Sequence, residues 1–188
     1  IYDNNMPRPI DLLKKIADYC CMQFAQTNVP LVGAGGVYEV FSKPLQNTDV
    51  PNEQALYSLL RKHPDERLEL REYPWICCKE TIRDRTTFAK YFYSVVEANN
   101  GFISDAHARE VADKAMAQSW ALDGLSQYSK LLIHANGGWF NIETAGFDLD
   151  GVALLAREIA DKMRDNDIVS CRKVFENNKE RCYSYGVK

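Results

Sequence analysis

The chain has 188 residues, 46% of them hydrophobic and 26% charged, with a formal net charge of −3. A chain of this length buries roughly 70% of its unfolded surface, so it can fold without staples, and its composition excludes a largely disordered protein. The small net charge supplies no overall pull toward a polyanion, although residues 101–160 hold four basic against eight acidic side chains.

Read in chain order, the pattern is mainly helical. Ile10, Leu13, Ile16, Ala17, Cys20 and Phe24 recur every three or four residues, which predicts an amphipathic helix after Pro9 that stops before Asn28-Val29-Pro30. LVGAGGVYEVF fits either a short strand and turn or the approach to a short helix. Asp49 and Pro51 predict the start of a helix that carries Leu56, Leu59 and Leu60 and ends before Pro64. In ERLELREY, Leu68 and Leu70 alternate with charges, as in a short strand or an ion-paired helical turn. Thr86 or Thr87 caps a helix with Phe88, Tyr91, Phe92 and Val95 on one stripe, and Asn100-Gly101 stops it.

Ser104 opens the next helix, with Ala108, Val111, Ala112, Ala115 and Trp120 near one side. Leu125, Tyr128, Leu131 and Leu132 suggest a further helix before Asn136-Gly137-Gly138; the competing reading is a hairpin through that turn into WFNI. Asp148 or Asp150 caps a helix bearing Val152, Leu155, Ile159 and Met163, and a last helix runs from Ile168 to Cys182. The expected fold is therefore mainly α: a single domain over 1–188 built as an irregular bundle of six to seven helices, with room for one short β-hairpin. A subdivision would fall near residue 100. AREVADKAM at 108–116 echoes AREIADKM at 156–163, but these residues are the usual fillers of exposed helices.

The six cysteines raise the main chemical question. Cys20-Cys21 and Cys77-Cys78 are adjacent pairs, not the C-x₂₋₄-C spacing of structural zinc or the C-x-x-C of redox motifs. Neighbouring side chains diverge on a helix or strand, so each pair chelates one ion badly. Cys20 and Cys171 fall on apolar faces, where a buried thiol acts as a small hydrophobe. Packing in a reducing, intracellular compartment is the expectation. GAGG at 33–36 lacks the third spaced glycine of a dinucleotide loop and the Lys-Ser/Thr of a P-loop; a tight turn, or close backbone contact with a neighbour, explains it better. DLDG at 148–151 lacks the later ligands of a calcium loop and suits a helix cap.

No catalytic constellation, cofactor motif or metal set is expected, and no run is apolar and long enough to span a bilayer. Between Arg61 and Tyr93, basic and aromatic residues interleave, including Arg67, Arg71, Trp75, Arg83, Arg85 and Tyr91. These are the candidate interaction residues, since Arg can hold phosphates while rings stack on unpaired bases. The leading expectation is a non-enzymatic interaction or structural subunit of a larger protein assembly, contacting protein partners or copies of itself. The alternatives are a helical coat-like protein on single-stranded nucleic acid, and an enzyme with a cysteine/histidine site assembled from distant residues.

Overall fold

A computed structural model describes residues 10–46, 48–80, 87–125, 131–135, 137–144, 146–162 and 170–186. Arg83 and Arg85 lie outside the described residues. Among those described, ten helices accompany two three-stranded antiparallel sheets. The fold is mixed α/β, and the expectation of a mainly α bundle of six to seven helices with at most one short hairpin is corrected. The strands are two to four residues long, too short to show an alternating pattern.

Helix α1 (Ile10–Thr27) buries Leu13, Ile16, Ala17, Cys20 and Phe24, the stripe that its periodicity marks. It stops at Asn28, which takes a left-handed φ of 56°, a conformation asparagine tolerates better than branched residues. Strand β1 (Leu31–Gly33) passes directly into α2 (Ala34–Val40), followed by α3 (Ser42–Leu45). Helix α4 (Glu53–Lys62) is capped by Asn52, whose Oδ1 accepts from the Ala55 N–H at 2.9 Å; Asp49 is not the cap. Strands β2 (Leu68–Glu69) and β3 (Trp75–Cys78) complete the first sheet in the order β1-β3-β2.

The second half repeats this connectivity. Helix α5 (Phe88–Ala98) is capped by Thr87, and Asn100 after it again has a left-handed φ, here 58°. Strand β4 (Phe102–Ser104) passes directly into α6 (Asp105–Lys114), capped by the Ser104 hydroxyl. A turn at 115–119 leads to α7 (Trp120–Asp123), and then to the hairpin β5 (Leu132–Ala135) and β6 (Gly138–Asn141). The competing hairpin reading of 125–141 is the one the structure adopts at 132–141. The second sheet has the order β4-β6-β5, again first, third, second. Registers agree too: Leu31↔Cys77 and Gly33↔Trp75 in one sheet, Phe102↔Phe140 and Ser104↔Gly138 in the other. Among the described residues, each half thus runs helix, strand, helices and a closing strand pair, with one more short helix in the first.

The core lies on both faces of the first sheet. Successive strand residues point to opposite faces. Val32 and Ile76 join a cluster with α1, α2 and α4, whereas Leu31, Trp75 and Cys77 join a second cluster with α5, α6 and β6. The first half's outer sheet face is thus covered by the second half. At that seam Trp75 stacks on Phe88, centroids 4.9 Å apart. The Gly33 N–H donates to the Ala115 carbonyl at 2.8 Å, and a Cβ on Gly33 would sit 2.5 Å from the Met116 carbonyl oxygen. Of the two readings of GAGG, the structure adopts close backbone contact with a neighbour and not a tight turn, since residues 34–36 are helical.

Beyond the second sheet, α8 (Leu149–Lys162), α9 (Cys171–Asn177) and α10 (Lys179–Ser184) follow. Asp148 caps α8 through the Gly151 N–H, and Arg181 grips Glu158 at 2.6 and 3.2 Å. The single helix expected up to Cys182 is broken at Asn178, whose φ of −124° and ψ of 20° are not helical. The echoed segments are not equivalent in the fold: α6 continues from a strand, whereas α8 starts from the Asp148 cap.

Candidate interaction surface

Two uncovered surfaces adjoin, one at the seam between the halves and one on the second sheet. The first is an aromatic cleft of about 700 Å³ between the Tyr73–Trp75 segment, the start of α5, and α7. Its floor is formed by the buried Trp75, Phe88 and Leu125, and its rim by the exposed Tyr73, Trp120 and Leu131. Trp120 is 49% exposed and anchored by its Nε1–H, which donates to Gln118 Oε1 at 2.6 Å. The turn at 115–119 shifts the helical phase, which is why Trp120 does not share the buried side of Ala108 and Val111.

A second hollow of about 600 Å³ continues from the cleft through Glu72, Trp75 and Thr87, and adds Arg61, Leu70, Arg71 and Cys77. Tyr57, 6% exposed in the first core cluster, packs edge-on against Tyr73 with centroids 5.4 Å apart, and its buried hydroxyl has no hydrogen-bond partner among the described residues. Burial pushes this phenol up to about 12, with smaller effects from Cys77, Arg61 and Glu72, so the hydroxyl stays protonated at neutral pH.

The second surface is the outer face of the second sheet. Phe102, Phe140 and Ile133 stand directly opposite one another across all three strands. Phe102 is 42% and Ile133 36% exposed. The Phe102 ring leans over Gly138, where a Cβ would come within 2.3 Å of it, and packs 4.7 Å from Phe140. The equivalent face of the first sheet, with Leu31 and Cys77, is buried. Leu131, two residues before Ile133, lines the cleft, so the two surfaces meet.

The candidate residues read from the sequence separate. Arg71 and Trp75 come together at the second hollow, where Arg71 is ion-paired with Glu69 and Trp75 is largely buried. Arg67 lies toward α1: it holds Asp65 through two bonds of 2.8 Å and reaches Asp18 at 2.8 Å. That bonding holds the Asp65 carboxyl down to about 2. Tyr91 packs against the second core cluster. Tyr57, Trp120 and the Phe102–Phe140–Ile133 row were not singled out by sequence. Only the pairing register reveals the row.

The thiols divide between the two cores. Cys20 lies in one and Cys77 in the other, on opposite faces of β3, and burial raises each to about 12. Cys21 is half-buried and also raised, by burial first, with Arg67 opposing. Cys182, on α10, is buried, and Cys171's side chain lies outside the described residues. Among the described residues no three His, Cys, Asp or Glu side chains gather as a metal ion would require, and no helix is long and apolar enough to cross a membrane. Comparison with protein-family models, with curated proteins and with solved structures returns no match.

Proposed function

We propose that this protein is a non-enzymatic interaction subunit of a larger protein assembly, docking through the outer face of its second sheet. The observation that carries this reading is the row Phe102–Phe140–Ile133, left uncovered where the matching face of the first half is buried. Contiguous exposed apolar side chains on a sheet mark contact surfaces, and aromatic residues anchor such contacts.

Small helical domains also serve duplex recognition. That use depends on Lys and Arg along the phosphates, and residues 101–144 hold three basic against five acidic side chains. The electrostatics favour a protein partner. The test is to purify the tagged chain from its native source, as wild type and as Phe102→Ser/Ile133→Ser, and to quantify the co-purifying proteins. A defined partner recovered with the wild type, and reduced by about tenfold or more in a variant of unchanged melting temperature, is expected. Equal recovery overturns the reading.

A further inference from the structure

We propose that β5 pairs edge to edge with β5 of a second copy of this chain, antiparallel about a two-fold axis, joining the second sheets of two copies into one sheet of six strands. The hydrogen-bond register shows which backbone groups are available. The Ile142 N–H donates to the Leu131 carbonyl at 2.9 Å, and the Asn141 N–H donates away from β5, to the Gly101 carbonyl, at 2.8 Å. Alternate residues of an antiparallel ladder turn their N–H and C=O toward the same neighbour. Within β5, Ile133 and Ala135 therefore face β6, and Leu132 and His134 face outward. Neither outward N–H has an acceptor among the described residues, and among the described elements only β6 packs closely along β5.

The other three sheet edges are protected. On β1 the Gly33 N–H is taken by the Ala115 carbonyl at 2.8 Å, on β2 the Leu68 N–H by Asp65 at 3.1 Å, and on β4 the Phe102 N–H by Asn99 at 3.4 Å. Strand β2 is two residues long and carries Glu69 between Arg67 and Arg71, while β4 is packed by both α5 and α6. Short length, charge and cover keep a sheet edge from pairing. Strand β5 is four residues long, and its sequence LIHA holds no proline, lysine, arginine or acid.

The strand matches its own copy. With Leu132 opposite the partner's His134, the two residues exchange both N–H···O bonds, symmetry repeats the exchange, and every outward donor of the two strands is satisfied. The axis then sets Ile133 opposite the partner's Ile133, at the close position of the ladder, where apolar β-branched pairs stabilise the contact. The row Phe102–Phe140–Ile133 continues across the axis into its own copy on one apolar face. No carboxylate, lysine or arginine of β5 is set against itself. His134 points to the opposite face from Ile133, where its Nε2 meets Asp105 Oδ1 at 2.8 Å and its ring packs on Trp139. A strand of different sequence would need charge to be selected, and β5 supplies none.

Edge and face fail separately: partner recovery from the native source reports on the row, and self-association of the purified chain reports on the edge. Sedimentation equilibrium of the full chain over a concentration series is the test. A reversible monomer–dimer equilibrium is expected, with the micromolar affinity of a small interface. His134→Pro removes an outward N–H without touching the β6 ladder, as edge strands allow, and should weaken association by about tenfold or more. His134→Ala keeps that N–H and should dimerise as the wild type does. Ile133→Lys and Ile133→Glu should each be monomeric alone, and their equal mixture should restore the dimer, because opposite charges then meet across the axis. A wild type still monomeric at about 100 μM, His134→Pro and His134→Ala with equal association, or a Lys/Glu mixture that stays monomeric would each overturn the proposal.

Discussion

Replacing Gly33 with alanine tests how the two halves are joined. Gly33 has φ −75° and ψ 132°, a conformation open to any residue, so backbone freedom is not the reason for glycine here. Space is the reason: the new Cβ would lie 2.5 Å from the Met116 carbonyl oxygen and 3.4 Å from its carbon. The obstacle is backbone, and the same turn accepts the Gly33 N–H through Ala115. Relief requires the 115–117 turn to move off β1, disturbing that bond and the packing around it. Overpacking of this kind costs about 2 kcal/mol, which lowers the melting temperature of a chain this size by about 4–8 °C. Gly35→Ala is the control. Its Cβ would meet the flexible end of Gln118, and alanine inside a helix gains about 1 kcal/mol over glycine, so it should be near neutral. Thermal unfolding followed by far-ultraviolet circular dichroism reads both. Melting temperatures for the two variants within about 1 °C of each other would refute the seam described above.

Asn100→Ala, at a left-handed φ of 58°, should cost about 1 kcal/mol, whereas Asn100→Gly should cost little; urea midpoints compare them, and equal losses would contradict the strain argument. The Asp65 carboxyl is lowered from its ordinary 3.8 to about 2 by hydrogen bonds from Arg67. Its contribution is therefore complete above pH 4 and lost as pH falls through 2. Wild type should exceed Asp65→Asn by up to about 1 kcal/mol at neutral pH, with the gap closing between pH 4 and 2; a gap that persists at pH 2 would show another cause. Cys20 and Cys77, raised to about 12 by burial, hold about one part in ten thousand of thiolate at pH 8. Mass spectrometry after iodoacetamide treatment should find them unlabelled until the chain is unfolded, and rapid native labelling of either would contradict their burial.

Helices with a strong stripe were legible. The buried positions of α1, the Thr87 and Ser104 caps, and the Asn100 stop all follow from local patterns. The strands were not. Leu31-Val32-Gly33 runs straight into a helix, and Trp75–Cys77 is buried on both faces, so neither alternates. WICC therefore read as a question about thiols, although its cysteines lie there because a sheet centre needs small apolar side chains. The matching halves escaped notice because their equivalent residues differ: Leu31 answers Phe102, and Cys77 answers Phe140. What they share is connectivity, which depends on long-range pairing and leaves no local trace. The visible echo at 108–116 and 156–163 reflects common helix fillers in unlike positions.

The interaction surfaces were hidden for a related reason. Phe102 and Ile133 look like core residues until the register places them on the outer face of the sheet, and Trp120 looks buried until the turn before it resets the helical phase. Of the arginines singled out by sequence, Arg67 engages Asp65 and Asp18, and Arg71 engages Glu69. Arg61, without such a pairing among the described residues, lies at the hollow.

Site-specific photocrosslinking bears most directly on the claim that this protein works by contact through its second sheet. A photoreactive residue is placed at Ile133 in the chain expressed in its native source, with Arg172, exposed on α9, as the control position. The account predicts a discrete covalent protein adduct from position 133 and none from 172. Adducts of equal yield at both positions, or none at 133, would contradict it.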